Sequence, residues 1–122
     1  MGDDVIYSGT VAAAIEGRFC QYPPIAISIT NREPKYLNDL GGKLDLFLPK
    51  FLGIKLKNII FNINIPDVAL EKIRGVCITR LGSRRVSKNA KKIYKDKTPF
   101  WRIGDVGTSS MPSEGSDFYA IR

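Results

Sequence analysis

Apolar and polar positions along the chain follow two rhythms. Val11, Ala14, Ile15 and Phe19 recur at helical spacing while Glu16 and Arg18 are free to face water, which predicts a helix starting near residues 8–10 and running to about residue 19. Small residues at Ala12, Ala13 and Gly17 would let this helix lie close to a sheet. The breaker Gln21-Tyr22-Pro23-Pro24 ends it, and Ile25-Ala26-Ile27-Ser28-Ile29 then reads as a short strand, expected to be buried on both faces. Phe61-Asn62-Ile63-Asn64-Ile65, closed by Pro66, is a second strand. A helix followed by an interior strand is the order of an α/β sheet.

Between the two strands, Tyr36, Leu37, Leu40, Leu44, Phe47, Leu48 and Phe51 suit an amphipathic helix within residues 34–52. Gly41-Gly42 costs it about 1 kcal/mol per glycine relative to alanine, and Pro49 is expected to break or kink it. From residue 68 onward the pattern changes. A helical turn at residues 68–73, a stop at Gly75 and a strand at residues 76–81 are expected. Lys91-Lys92-Ile93-Tyr94-Lys95 and Pro99-Phe100-Trp101-Arg102-Ile103, separated by Asp96-Lys97-Thr98, predict a basic hairpin. Residues 104–115, rich in Gly, Ser and Pro, read as a loop.

Composition narrows the function classes. At 122 residues the chain has room for one domain, and no stretch approaches a membrane span. Two acids and no basic region at the N-terminus exclude a signal peptide, so a cytoplasmic protein is expected. Histidine is absent, which rules out Ser-His-Asp and Cys-His chemistry within this chain. Cys20 and Cys77 make neither a disulfide framework nor a zinc set, and read as buried free thiols. The net charge of +7 is uneven: residues 1–42 carry −2 and residues 43–102 carry +11. Such a field could attract nucleotides, polyphosphate or nucleic acid, or be a solvated surface.

Ser8, Gly9 and Thr10 sit immediately before the alanine-rich helix. Backbone N–H groups at a helix N-terminus, a glycine that admits a bulky anion and two hydroxyls have the composition of a phosphate site. The same residues are also common helix caps, and a plain cap is the more frequent outcome for this spacing alone.

The whole stretch Gly2-Asp3-Asp4-Val5-Ile6-Tyr7-Ser8-Gly9-Thr10-Val11-Ala12-Ala13-Ala14, followed by Glu16-Gly17-Arg18 and Pro24-Ile25-Ala26-Ile27-Ser28, closely resembles the middle of the SurE family, the stationary-phase survival proteins. The likeness resumes at Asn62-Ile63-Asn64-Ile65-Pro66-Asp67, Thr79-Arg80-Leu81-Gly82, Trp101-Arg102-Ile103-Gly104 and Gly115-Ser116-Asp117-Phe118, in the same order, and fades over residues 31–57. It implies a partial Rossmann-like, three-layer α/β/α domain with a protruding basic hairpin. Residues 1–67 would form part of the core, 68–103 the strand and hairpin, and 104–122 a loop and truncated C-terminal segment.

The resemblance also implies an activity: metal-dependent hydrolysis of nucleoside 5′- and 3′-monophosphates, with one divalent cation, Mg²⁺ or Mn²⁺. By carry-over, Ser8, Gly9 and Thr10 contact the phosphate, and Asp117 neighbours the same site. The family's metal ligands, in an Asn-Asp-Asp-Gly motif and at later Ser and Asn positions, would lie upstream of Met1. No catalytic residue or metal ligand is therefore assigned here, and the isolated chain is expected to be inactive. Asp3-Asp4 are not the missing pair, because Val5 rather than glycine follows them and no strand precedes them.

A dimer or tetramer associating through the hairpin is implied as well. The alternative is a non-catalytic module that binds nucleic acid or assists assembly, since Tyr94, Phe100 and Trp101 are interleaved with Lys91, Lys92, Lys95 and Arg102. Strand alternation is expected to turn those aromatics toward the sheet or a neighbouring subunit, which disfavours nucleic acid as the partner.

Overall fold

The computed structural model describes residues 1–104, 107–108 and 112–122. A 3-10 turn, Gly2–Tyr7, leads into helix α1, Gly9–Glu16, which tightens into a further 3-10 turn at Gly17–Phe19. Gly17 lies against Pro24, where an added Cβ would approach the proline ring to 3.0 Å. Strand β1, Ile25–Ile29, begins one residue later and pairs in parallel with β2, Phe61–Ile65, in the register Ile25↔Phe61 to Ile29↔Ile65. Helix α2, Leu40–Phe51, lies on the connection between them. A parallel pair joined through a helix is the unit of an α/β fold, as the apolar spacing predicted.

Packing explains why α2 tolerates residues that disfavour helices. Leu70 sits over Gly42, with its Cδ2 2.9 Å from where a Cβ would stand, so glycine there admits a neighbouring turn. Pro49 removes one helical N–H donor, but the helix ends at Phe51 and loses little. Phe47 is buried and packs edge-on to Phe51, which in turn meets Phe61 at 4.8 Å between ring centroids. These rings tie α2 to the start of β2. On α1, Val11 and Ala14 are buried with Ala26 of β1, with Val5 and Ile60 packed against them.

Several expectations need correction. Ile15 and Phe19 turn outward rather than to the core, because only the Val11–Ala14 stripe of α1 reaches Ala26; the Phe19 ring instead lies under the Arg18 guanidinium at 4.3 Å. Strand β1 is not buried on both faces: Ala26 alone is buried, in a sheet of two strands. Residues 76–81 form no strand; their one bridge joins Arg80 to Ser116, and Val76 and Ile78 are exposed with no ladder beside them. Cys20 and Cys77 are free thiols but exposed.

The hairpin forms as expected, with β3, Lys91–Lys95, antiparallel to β4, Thr98–Arg102. Asp96 and Lys97 both have positive φ, 47° and 64°, the pattern of a two-residue type I′ turn that matches strand twist. Thr98 is thus the first residue of the strand, paired with Lys95. Every residue of both strands is exposed. The expected loop at residues 104–115 falls partly outside the described residues. Helix α3, Asp117–Ala120, follows, capped by the Ser116 hydroxyl, which accepts from the Tyr119 N–H at 3.3 Å. Among the described residues no helix is long and apolar enough to cross a membrane.

Candidate functional site

Ser8 leaves the 3-10 turn with extended backbone angles, φ −83° and ψ 115°, the conformation of a helix N-cap. Its Oγ accepts from the Val11 N–H at 3.2 Å, and its carbonyl accepts from the Ala12 N–H at 2.9 Å. The cap therefore exists. It satisfies one first-turn donor and leaves the Gly9 and Thr10 N–H groups without an acceptor inside the helix. Both residues are exposed, and among the described residues nothing lies within 4 Å of a Cβ built on Gly9.

Gly17 rests on Pro24, so the C-terminal end of α1 lies beside the entry to β1. Two cavities of about 360 and 370 Å³ lie elsewhere than the turn at residues 8–10, one lined by Arg18, Phe19 and Lys57 among others and one by Tyr36 and Asp67 among others.

Asp117 is buried, at 4% exposure, and fully engaged. Its Oδ2 accepts from the Gly2 N–H at 2.5 Å, and its Oδ1 accepts from the N–H groups of Gly82 at 2.9 Å and Phe118 at 2.8 Å. Three segments far apart in sequence meet at one carboxylate. Glycine suits position 82 because a Cβ there would crowd the edge of the Phe118 ring and stand 3.0 Å from Asp117 Oδ1. Gly2 has φ +59° and faces the same ring. Alongside, the Asp117 N–H donates to the Arg80 carbonyl at 3.0 Å, and Arg80 donates to the Glu114 carbonyl and the Ser113 hydroxyl.

Asp3, Asp4 and Asp67 are engaged too. Asp4 pairs with the Arg84 guanidinium, and both oxygens of Asp3 accept from the Arg84 N–H at 3.3 Å. Asp67, which the residue pattern did not single out, closes the loop after β1 onto the end of β2. Its Oδ1 accepts from the Tyr36 N–H at 3.0 Å, and its Oδ2 from the Lys35 N–H at 3.1 Å and Asn31 Nδ2 at 2.9 Å. The Tyr36 and Lys35 N–H groups, with Asn31 and the charge of Lys43, hold its carboxyl below the ordinary value, against a smaller opposing effect of desolvation. Lys43 is fully buried behind this loop, with Nζ donating to the Tyr36 carbonyl at 3.3 Å. The signal for Asp67 was its place directly after Pro66 at a strand end.

Among the described residues no three Cys, Asp or Glu side chains are grouped to hold a metal. Asp3, Asp4, Asp67 and Asp117 each accept from N–H donors within the chain.

Comparison with known proteins gives these motifs a common source. The family model for Survival protein SurE matches residues 1–88. A protein named 5'-nucleotidase SurE from Histophilus somni (strain 2336) is 41% identical over 128 aligned positions, covering 100% of this chain and 50% of its own length. One of the same name from Actinobacillus pleuropneumoniae serotype 5b (strain L20) is 44% identical over 134 positions, covering 99% and 51%. The chain spans about half the length of the curated relatives it matches. By the extent of that match, and with the motifs at residues 2–28, 62–67 and 79–82 all inside it, this chain belongs to the SurE family.

Proposed function

We propose that this chain is part of a metal-dependent nucleotidase that hydrolyses nucleoside 5′- and 3′-monophosphates to nucleoside and phosphate, and that Ser8, Gly9 and Thr10 receive the phosphoryl group. The observation that carries the reading is the open N-terminus of α1, within the segment that matches the family. Gly9 and Thr10 offer backbone N–H donors and Thr10 a hydroxyl. Ser8 accepts from Val11 with a lone pair and keeps its own O–H to donate. The helix adds roughly half a positive charge at this end.

Asp117 serves this site as a positioning residue. By gripping Gly2 it fixes the start of the 3-10 turn that delivers Ser8, and its oxygens are spent on backbone donors rather than on substrate. The cation of this reaction would be Mg²⁺ or Mn²⁺, and none of Asp3, Asp4, Asp67 and Asp117 is assigned to it, since each is committed to donors within the chain. The intact protein is a cytoplasmic homo-oligomer. Its subunits meet through the hairpin face that carries Ile93 and Phe100, a directly opposed apolar pair.

Titration of ¹⁵N-labelled 1–122 with AMP tests the proposal. The Gly9 and Thr10 amide resonances are expected to shift first, while phosphate release with added Mg²⁺ or Mn²⁺ stays at the level of a blank. Unmoved Gly9 and Thr10 resonances at millimolar AMP would remove the phosphate turn. Metal-dependent turnover by this chain would instead place the cation ligands within it.

A further inference from the structure

After α1 the chain turns through Gly17–Phe19 and enters β1, and the loop that leads into β2 returns to the same place. Between them lies a cavity of about 360 Å³, lined by Arg18, Phe19, Gln21, Leu56, Lys57 and Asn58 among others. None of Ser8, Gly9 and Thr10 belongs to its wall. The eight residues of α1, rising about 1.5 Å each, put roughly 12 Å between that turn and the end of the helix where the cavity begins.

Arg18 is already oriented. Its Nη1 donates to the Ile15 carbonyl at 2.8 Å, as a cation at a helix C-terminus does, and its guanidinium carbon stands 4.3 Å from the Phe19 ring centroid. These contacts fix the plane of the group and use one nitrogen. Among the described residues no acceptor meets Nε or Nη2, the edge that can give an oxyanion two parallel hydrogen bonds. Glu16 pairs only with Nη1, at 3.7 Å, in a solvated contact of little strength, and it does not line the cavity.

Charge and shape select the guest. Lys57 is the second cation of the wall, no acid accompanies it there, and residues 50–58 carry three lysines without an Asp or Glu. Two cations match one phosphate dianion, whereas a single carboxylate would leave one of them uncompensated. Phe19 is 82% and Leu56 54% exposed, so both offer apolar surface, and the Gln21 and Asn58 amides can donate and accept. A cavity of this size encloses one small molecule rather than a strand or a folded partner. We propose that it binds a phosphate monoester carrying a flat ring, the phosphate on Arg18 and Lys57 and the ring against Phe19. This site does not rest on the nucleotidase reading, since it uses none of the residues of the phosphate turn.

Cys20 lines the same cavity as an exposed free thiol, and its reactivity reports occupancy. In the 122-residue chain carrying Cys77→Ser, AMP is expected to slow alkylation of Cys20 by iodoacetamide along a saturating curve. Adenosine and inorganic phosphate each lack half of the contact and should bind at least roughly tenfold more weakly. Arg18→Lys keeps the charge but loses the paired donors, and Lys57→Ala removes the second cation; each should weaken AMP roughly tenfold. Lys95→Ala, an equal loss of charge on the hairpin, should change the affinity by less than about twofold.

Protection by adenosine or inorganic phosphate as strong as that by AMP would reduce the cavity to an apolar surface or a charge patch, and overturn the proposal. Equal protection by benzoate would make it a carboxylate site, with the same consequence. So would AMP affinity unchanged in both Arg18→Lys and Lys57→Ala. Gly9 and Thr10 resonances that shift with AMP while Cys20 stays unprotected would remove this site and leave the phosphate turn standing.

Discussion

Between residues 11 and 65 the chain buries Val11, Ala14, Ala26, Lys43, Phe47 and Ile65, whereas none of residues 66–104 is buried. The first region is held by contacts between distant elements: α1 on β1, β1 beside β2, and Phe51 on Phe61. The hairpin in the second region is defined within a dozen residues by the Asp96-Lys97 turn and five cross-strand pairs. A locally specified element needs no core of its own, and its side chains remain available to partners. Burial and availability are thus divided along the sequence. The Asp117 latch, which clasps Gly2 and Gly82, joins the start of the first region to the second.

If the latch is the joint between the two regions, its removal has the largest effect. Asp117→Ala strips the acceptors from three backbone N–H groups at a buried site, and unfolding in urea should show a loss of about 3 kcal/mol. Retention of wild-type stability would mean that the two regions are held together elsewhere. Gly82→Ala crowds the Phe118 ring and Asp117 Oδ1 but leaves all three N–H groups their acceptor, and a smaller loss of about 1–3 kcal/mol is expected by the same measurement.

Lys97→Gly sharpens the comparison from the other side. It relieves a positive φ of 64°, and hydrogen exchange should show the β3–β4 amides better protected by about 1 kcal/mol while those of β1 and β2 stay unchanged. Improved protection throughout would show the hairpin to be cooperative with the α/β unit.

The smallest effect is confined to the loop after β1. Asp67 has its folded value lowered by the Tyr36 and Lys35 N–H groups, so its contribution is present above about pH 4 and is lost as pH falls through that lowered value. The Lys35 and Tyr36 amide resonances should titrate together below the ordinary aspartate range. Asp67→Asn should abolish that transition and leave the hairpin resonances unmoved.

Much of this was legible from local pattern. The spacing of Val11 and Ala14, the two short apolar runs, the Ser8 cap and the turn-prone Asp96-Lys97 all rest on interactions among neighbours, which sequence displays. Other features were not. Ile15 and Phe19 fit the helical stripe but face outward, because the width of the packed face depends on what α1 meets. Residues 76–81 have strand-forming side chains but no ladder, because pairing depends on a partner that propensity does not supply. Asp67 stands in a motif quoted for the resemblance, but its N–H partners at Lys35 and Tyr36 lie some thirty positions away.

Sequence by itself determined the two helices, the two short strands and the hairpin in their order, the charge of the hairpin and the family, since each is written in residues close together or in motifs held in order. Tertiary structure alone decided that Gly2, Gly82 and Phe118 converge on Asp117, that Asp3 and Asp4 serve Arg84, and that Tyr94 and Trp101 stay open. The physical reason is separation along the chain: Gly2 and Asp117 stand 115 positions apart, and no local preference at either end encodes the hydrogen bond between them.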